Sequence, residues 1–583
     1  MTLWLKTHQR SLWIGGIIWV LAIGFIAFLW RLGSTGLVDE TEPLFAEAAR
    51  QMTVTGDWLT PYFNGQTRFD KPPLVYWLMA IAYGVTGPNA WGARLPSALS
   101  AIALMGLCFY TLCRYGVGPH TSPGQKDLQS WLSAGLSVLM MALNLLFVVW
   151  GRTGVSDMLL TACIGATMLA FFLGYAETER PAIRDRWYLA CYTFVGLGIL
   201  TKGPVALVLP GLAIAIFLAG VGRFWQVVRE LRLVRGTIVV AALTLPWFVA
   251  IGAVHGRAYT DVFFGYHNIE RFTSVVNQHA APWYFYFGVV LLGFMPFSAY
   301  LPVSMARLQF WRVQAWREQP RSRHLGLLAL AWFASIFGFF SIAVTKLPSY
   351  MLPLIPAAAI LVALAWSEAI ASGTEKENSG LGWGWWASGI ANVGLIGILA
   401  VAGLNVPRFL GPDSAVPNFP DVLRDAGIPL WAGLPWAIAT VVGLGVLCAR
   451  RLRWLWLVNG CAQVFFAMGV VMVLNVTDIH RQLPLRQLSD IAVQSARPEE
   501  AIAYVGFMKP SVTFYTQRST TFVDDPADFV AELRQQTSAS QSVLVMGETV
   551  VIDAIDAEAE DKEAIAIEKA YSLIRLRLPS TRE

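Results

Sequence analysis

Long apolar segments recur along this chain, and they constrain its fold more than any other feature. A helix that crosses the hydrocarbon core of a bilayer needs about 20 mainly apolar residues. Because so many segments reach that length, the pattern predicts an α-helical polytopic membrane protein with about thirteen transmembrane helices. The candidate segments lie near 11–30, 91–114, 131–150, 156–176, 187–201, 203–221, 236–254, 283–303, 325–345, 349–371, 383–404, 430–449 and 453–476.

Composition supports the same class. Of the 583 residues, 56% are hydrophobic and 14% are charged, whereas soluble domains average about 45–50% apolar and about 25% charged. A soluble enzyme, a disordered regulator and a fibrous protein are therefore excluded. The basic residues are spread over short loops, which argues against a nucleic-acid partner. The six cysteines lie within or beside apolar segments without metal-ligand or disulfide spacing.

The basic residues are concentrated in alternate loops, and this predicts the orientation. Lys and Arg are enriched in loops that stay in the cytoplasm. With a cytoplasmic N-terminus, those loops contain the basic clusters at 180–186, 223–235, 307–323 and 450–453. An odd number of spans then places the C-terminal segment outside. The sequence therefore predicts a multi-pass protein of the bacterial inner (plasma) membrane whose C-terminal domain is periplasmic.

Two domains are predicted. Residues 1–476 form a transmembrane domain with interfacial helices in the 31–90 loop, where the amphipathic segment 43–55 favours a helix at the membrane surface. Residues 477–583 form a small outer-face α/β domain. Within that domain, strands are predicted at 501–505, 512–515 and 542–546, and helices are predicted at 526–536 and 557–571.

The outer segments carry polar residues that apolar packing does not explain. Some have ordinary explanations: Asp157 could cap a helix N-terminus, Lys202 and Lys346 could extend to the interface, and His279 could be a surface residue. Several loops nevertheless bring carboxylates, lysines and histidines to one membrane face. Cationic side chains at lipid depth suit a membrane-bound anion such as a lipid phosphate. A carboxylate beside them could accept the proton of an attacking hydroxyl.

In these segments the sequence resembles the GT-C membrane glycosyltransferases, specifically the phospholipid-carrier-dependent branch that uses polyprenyl-phosphate sugars. It is similar to aminoarabinose (lipid A) transferases and to bacterial protein-mannosyltransferase-like enzymes, over roughly residues 11–365. The matching motifs occur in order at 38–52, 56–61, 70–74, 152–157, 201–204, 267–272 and 345–353.

The resemblance implies a GT-C fold with a catalytic cavity on the outer face. Asp39 matches the catalytic acid of the first loop, and Asp157 matches a second functional carboxylate. The positions expected to hold the donor phosphate are Lys71, Lys202, Arg271, Lys346 and Tyr350. Positions implicated in a divalent metal site (Zn or Mg/Mn) are Asp70, His267 and His279, and Glu40 and Arg68 are further candidate site residues. Relatives often have Glu at the position of Asp70 and Tyr at the position of Phe45.

The implied function is transfer of a hexosyl or pentosyl group from a polyprenyl (undecaprenyl) phosphate donor to a lipid, glycan or other envelope acceptor, with inversion. A nucleotide cofactor is not expected, because the chain has no GxGxxG loop and no DxD triplet. A monomer is expected. Two alternatives stay open: a protein O-mannosyltransferase-like enzyme, and a transporter or flippase for lipid-linked sugars. A transporter would show charges along a path to both faces and, often, inverted repeats.

Overall fold

Helices dominate the structure, a computed structural model that describes residues 9–118, 126–263, 265, 281–371, 382–411, 416–498, 500–536, 542–555 and 562–577. The helices of the first half are α1 (Gln9–Gly24, extended by a π-helical turn, Phe25–Leu29), α2 (Thr41–Thr55), α3 (Leu74–Thr86), α4 (Ala90–Tyr115), α5 (Lys126–Ala142), α6 (Leu145–Gly151), α7 (Ser156–Ala176), α8 (Pro181–Lys202), α9 (Val205–Val221), α10 (Phe224–Leu231), α11 (Leu233–His255) and α12 (Arg257–Thr260).

The second half of the chain continues the bundle and then changes character. Its helices are α13 (Phe285–Gly293), α14 (Leu301–Arg307), α15 (Val313–Glu318), α16 (Leu325–Ile342), α17 (Ile355–Ala371), α18 (Trp383–Leu404), α19 (Val406–Leu410), α20 (Phe419–Asp425), α21 (Ile428–Cys448), α22 (Leu455–Ser495), α23 (Pro510–Thr516), α24 (Phe529–Gln536) and α25 (Thr549–Asp553). Single 3₁₀ turns cover Phe297–Tyr300, Arg321–Arg323, Pro348–Leu354 and Leu452–Trp454.

The multi-pass membrane architecture is confirmed. Among the described residues, nine helices are long and apolar enough to cross a membrane, or eleven if each of two bent pairs is one span. The bent pairs are α5 with α6, at 63°, and α13 with Phe297–Arg307, at 109°. The other two predicted spans correspond to α8, which carries charges near both ends, and α9, which has only 17 residues.

The helices α7 and α17 lie at the centre of the bundle. Both are apolar nearly all round and buried along most of their length, as expected for helices surrounded by protein. Helix α8 packs beside α7 and returns antiparallel to it after a short connection. The start of α7 and the end of α8 therefore meet on one face of the bundle, where the first loop also lies.

The C-terminal domain is built on a mixed five-stranded sheet. Its strands are β3 (Ala501–Val505), β4 (Thr520–Val523), β5 (Ser542–Glu548), β6 (Lys562–Glu568) and β7 (Tyr571–Arg577), after a two-stranded ribbon in the first loop, β1 (Tyr62–Phe63) with β2 (Gln66–Thr67). The order is β4-β3-β5-β7-β6. Strand β3 is parallel to β4 and β5, and β7 is antiparallel to β5 and β6.

Helix α22 joins the two parts of the chain. It continues for 41 residues through the predicted boundary between 476 and 477 and ends at Ser495, and the first strand of the sheet begins at Ala501. Its C-terminal half packs against the sheet through Leu485, Leu488 and Ala492. The small domain therefore packs against a continuous extension of a membrane helix.

Two predicted elements of this domain are wrong. The segment 512–515 forms part of helix α23, because Pro510 starts the helix and packing against other elements overrides the strand preference of the β-branched and aromatic residues. The segment 557–571 does not form a helix in its described part: it contains β6, whose register with β7 pairs Ala564 with Ile574. The strands at 501–505 and 542–546 and the helices at 43–55 and 526–536 are confirmed, with shifted ends for three of them.

Candidate functional site

A cavity of about 1040 Å³ opens between the first loop, the start of α7, the end of α8 and the turn at 347–350, with α22 on a further side. Its volume is large enough for a sugar phosphate, since small-molecule sites are typically about 300–1,000 Å³. The structure brings most of the predicted site residues to its wall: Asp39, Glu40, Arg68, Asp70, Lys71, Asp157, Lys202 and Tyr350.

Asp39 lies in the loop between α1 and α2, where one residue of the C-terminal domain holds both of its oxygens. The backbone N–H of Ser511 donates to Asp39 Oδ1 at 2.9 Å, and the Ser511 hydroxyl donates to Oδ2 at 2.6 Å. Burial raises the pKa of Asp39 to about 6, although the two Ser511 hydrogen bonds and the charge of Lys509 act in the opposite direction. A carboxylate with this pKa is well matched to accept a proton near neutral pH.

Glu42 fixes the loop that carries Asp39. It accepts hydrogen bonds from the Arg94 guanidinium at 2.7 and 2.8 Å, from the N–H of Val38 at 2.8 Å and from the N–H of Gly154 at 2.6 Å. One side chain thus joins the first loop to α4 and to the segment before α7. Sequence reasoning assigned no role to Glu42 or Arg94. An arginine inside the apolar segment 91–114 was the signal, because a charge at membrane depth needs a partner.

Asp157 and Lys202 form an ion pair across the α7–α8 contact. Lys202 Nζ donates to Asp157 Oδ1 at 3.0 Å. Asp157 is the second residue of α7 and Val155 occupies the N-cap, so the helix-capping explanation for Asp157 is wrong. Lys202 ends α8 and lies 5.9 Å from the centre of the Tyr350 ring. Its ammonium group is therefore held at the cavity wall by a carboxylate and an aromatic face.

Asp70 is surrounded by donors. Arg68 donates to its Oδ2 at 2.6 Å and Tyr76 donates to Oδ1 at 3.0 Å. The ammonium of Lys71 donates to the Asp70 carbonyl oxygen at 2.7 Å and lies 3.7 Å from the carboxylate. Arg68 also lies over the Phe45 ring, 5.1 Å from its centre.

The predicted metal site is only partly within the described residues, because His267, His279 and the predicted phosphate ligand Arg271 all lie outside them. In the described part of the chain, no group of three or more His, Cys, Asp or Glu residues could hold a metal ion. The two oxygens of Asp70 already accept hydrogen bonds from Arg68 and Tyr76. Asp70, the described member of the predicted site, therefore has no oxygen without a hydrogen-bond donor, and the metal site stays a prediction.

Lys346 does not line this cavity, unlike the predicted phosphate ligands Lys71, Lys202 and Tyr350. Its ammonium donates to the carbonyl oxygens of Ser341, at 3.0 Å, and Ala343, at the end of α16. It also lies 5.6 Å from the centre of the Tyr286 ring. A cation at a helix C-terminus satisfies carbonyls that lack partners in the helix. The structure does not bring Lys346 together with Lys202 at the cavity wall.

Chemically, the cavity combines a carboxylate of raised pKa with ammonium groups on the wall formed by α8 and the first loop. Such an arrangement suits binding of a phosphate and removal of a proton from a neutral nucleophile.

Comparison with known proteins shows which fold the chain has and which proteins it resembles. Residues 70–249 match the family model described as dolichyl-phosphate-mannose-protein mannosyltransferase, and residues 495–583 match the C-terminal domain of cyanobacterial RgtA-type glycosyltransferases. The crystal structure of ArnT from Cupriavidus metallidurans bound to undecaprenyl phosphate has the same fold, with a TM-score of 0.76 over 96% of this chain and 98% of that one, at 21% identity. The chain has the GT-C fold of membrane glycosyltransferases, and its sequence is similar to theirs.

Curated relatives of this GT-C protein carry a more specific name, undecaprenyl phosphate-alpha-4-amino-4-deoxy-L-arabinose arabinosyl transferase. One from Pseudomonas savastanoi pv. phaseolicola is 31% identical over 392 residues, which is 66% of each chain. Another, from Pseudomonas fluorescens, is 31% identical over 356 residues, 60% of this chain and 56% of the relative. The chain thus spans little more than half the length of that relative.

Proposed function

We propose that the protein transfers a sugar from an undecaprenyl-phosphate donor to a lipid or other envelope acceptor. The observation that carries the proposal is that one cavity is lined by the half-buried carboxylate of Asp39 and by the ammonium groups of Lys71 and Lys202. The names of the curated relatives, which specify an undecaprenyl-phosphate aminoarabinose donor, support this donor class. The proposed acceptor class includes lipid A.

The proposed reaction is a single displacement at the anomeric carbon. An acceptor hydroxyl oxygen attacks that carbon, and the bond from the carbon to the donor phosphate oxygen breaks. The electron pair leaves with the polyprenyl phosphate, whose developing charge Lys71 and Lys202 stabilise. The hydroxyl proton passes to Asp39, and the configuration inverts. Asp157 keeps Lys202 oriented.

The nature of the acceptor changes what Asp39 must do. With a hydroxyl acceptor, Asp39 acts as a general base. With a phosphate acceptor the nucleophile is already anionic, and Asp39 mainly orients it. A protein O-mannosyltransferase-like activity is the second candidate, because residues 70–249 match a protein mannosyltransferase model. It retains this mechanism and replaces the acceptor by protein hydroxyls.

We also propose the orientation. The basic loops face the cytoplasm, so the N-terminus is cytoplasmic, and the cavity and C-terminal domain lie on the periplasmic side of the inner membrane. The proposed enzyme acts as a monomer. A donor carried on lipid suits this location, because nucleotide sugars are confined to the cytoplasm.

The experiment that tests the function uses the purified full chain in proteoliposomes. The donor is undecaprenyl phosphate carrying a radiolabelled aminoarabinose, and lipid A and a serine-rich peptide are offered as separate acceptors. Label on lipid A supports the first function, and label on the peptide supports the second. Movement of the intact donor between leaflets without transfer to either acceptor would instead identify a transporter.

Activity is expected to depend on pH through Asp39. Because burial raises the pKa of Asp39 to about 6, the free enzyme holds this group deprotonated above that pH and protonated below it. With a hydroxyl acceptor, kcat/KM should therefore fall about tenfold for each pH unit below 6 and level off above it. A profile of kcat/KM from pH 4.5 to 8 checks this. A flat profile over that range would contradict the base role.

Replacing Lys202 is expected to weaken stabilisation of the leaving phosphate. Lys202→Met should lower kcat/KM by about 10²–10³-fold, the usual effect of removing one charge-stabilising donor. Lys202→Arg should keep more activity because it keeps the charge. Lys569→Met, which removes an exposed lysine from the turn after β6, is the matched control and should behave like the native protein. A Lys202→Met variant with native kcat/KM would remove Lys202 from the proposed mechanism.

A further inference from the structure

The C-terminal domain contacts the first loop at several separate points. The hydroxyl of Tyr515 accepts the N–H of Leu37 at 2.7 Å. Asn64 and Thr520 exchange two hydrogen bonds, at 2.7 and 2.9 Å. These contacts lie on both sides of Asp39 in the chain. The domain is therefore hydrogen-bonded to the loop that carries Asp39.

The contact between Ser511 and Asp39 differs from the others because it holds the proposed catalytic carboxylate. Ser511 is buried, with 1% of its surface exposed. Its N–H and its hydroxyl donate to the two different oxygens of the carboxylate. Two donors from one residue fix both the position and the plane of a carboxylate, which a single hydrogen bond cannot do. Each oxygen still has lone pairs available for a further proton.

We propose that Ser511 is a positioning residue that orients the Asp39 carboxylate, so that the C-terminal domain holds a catalytic group of the cavity in place. This inference rests on the proposed function. It gives the C-terminal domain an indirect part in the reaction, beyond covering the cavity. Ser511 acts through Asp39 and does not itself contact the reacting atoms.

Loss of the Ser511 hydroxyl is expected to change the pKa of Asp39. Hydrogen bonds to the charged form of a carboxylate favour that form, and the Ser511 hydroxyl lowers the pKa of Asp39 against the effect of burial. Without the hydroxyl, the Asp39 pKa should rise and the carboxylate should lose its fixed plane. The other charged or titratable groups that interact with Asp39 are Glu40, Lys509, Tyr504, Tyr515 and Tyr571, and they are unchanged by the substitution.

The test compares Ser511→Ala with Ser511→Thr and with a matched control, Ser489→Ala. Ser489 is an equally buried serine on α22 whose hydroxyl bonds only within its own helix. For Ser511→Ala we expect a fall in kcat of about 10- to 100-fold, from loss of one charge-assisted hydrogen bond. The donor KM should stay close to native, and the acidic limb of the kcat/KM profile should move to higher pH. Ser511→Thr should restore both.

Several outcomes would overturn the inference. If Ser511→Ala matches Ser489→Ala in kcat and in pH profile while Asp39→Asn is inactive, Ser511 has no positioning role and the proposed function stays intact. A loss with an unmoved pH profile and a lowered melting temperature would make Ser511 merely structural. Native activity in Asp39→Asn would instead be a failure of the proposed function.

Hydrogen exchange tests the contact between Ser511 and Asp39 independently of enzyme turnover. By hydrogen exchange with mass spectrometry, peptides covering 510–516 should exchange faster in Asp39→Ala than in the native protein, since the Ser511 N–H loses its acceptor. Equal exchange in the two proteins would show that the contact is absent, whatever the substrate.

Discussion

Asp39→Asn is expected to lower kcat by about 10²–10⁴-fold with a hydroxyl acceptor, the range that a general base contributes. The amide cannot accept the proton of the attacking hydroxyl. It also presents an NH₂ group to one of the two donors of Ser511, where the carboxylate presents oxygen. The variant should therefore lose both the base and its alignment. Single-turnover kinetics with the undecaprenyl-phosphate sugar separate this loss from any change in donor binding.

The control for this variant comes from the same loop. Asp57 accepts the N–H groups of Leu59 and Thr60 through one oxygen, a role that asparagine can also fill. Asp57→Asn should therefore keep native kcat. If Asp39→Asn loses less than about tenfold with lipid A but far more with a hydroxyl acceptor, Asp39 orients a phosphate nucleophile in the first case. Full turnover with both acceptors would remove Asp39 from catalysis.

Where membrane physics constrains the chain, the sequence predicted which polar residues lie at the cavity wall. A charge at the end of an apolar helix is costly unless it is paired or used, and this identified Asp157 and Lys202 without any structure. They form an ion pair because α7 and α8 are antiparallel neighbours joined by a short connection, which brings the start of α7 to the end of α8. The cavity wall then includes the first-loop residues that the motifs indicated, Asp39, Asp70 and Lys71.

The partners of these residues could not be predicted, because they are remote in the chain. Ser511 lies 472 positions from Asp39, and Arg94 lies 52 positions from Glu42. No local pattern predicts such pairings, since the first depends on how the small domain packs on α22 and the second on how the first loop folds against α4. The same limit explains the wrong helix at 557–571: its charged and alanine residues favour a helix locally, while pairing of β6 with β7 decides the structure.

Arg94→Met is expected to destabilise the fold by about 3–5 kcal/mol, because it leaves the buried charge of Glu42 without its main partner. The two side chains are 4% and 0% exposed, so water cannot replace the guanidinium. Arg94 also donates to the carbonyl oxygens of Leu32, Thr35 and Gly36. Its loss should therefore loosen the loop that carries Asp39 as well as lower the unfolding free energy, measured by denaturant titration in detergent.

A double variant distinguishes the ion pair from simple loss of packing. Glu42→Gln combined with Arg94→Met removes the unpaired charge, so the pair should be more stable than the sum of the two single effects predicts, by about 0.5–3 kcal/mol of interaction energy. Arg424→Met, which breaks an exposed ion pair with Asp421, is the control and should cost at most about 1 kcal/mol. If the two single effects simply add, Glu42 is held by its backbone donors, Val38 and Gly154, and the guanidinium contributes only packing.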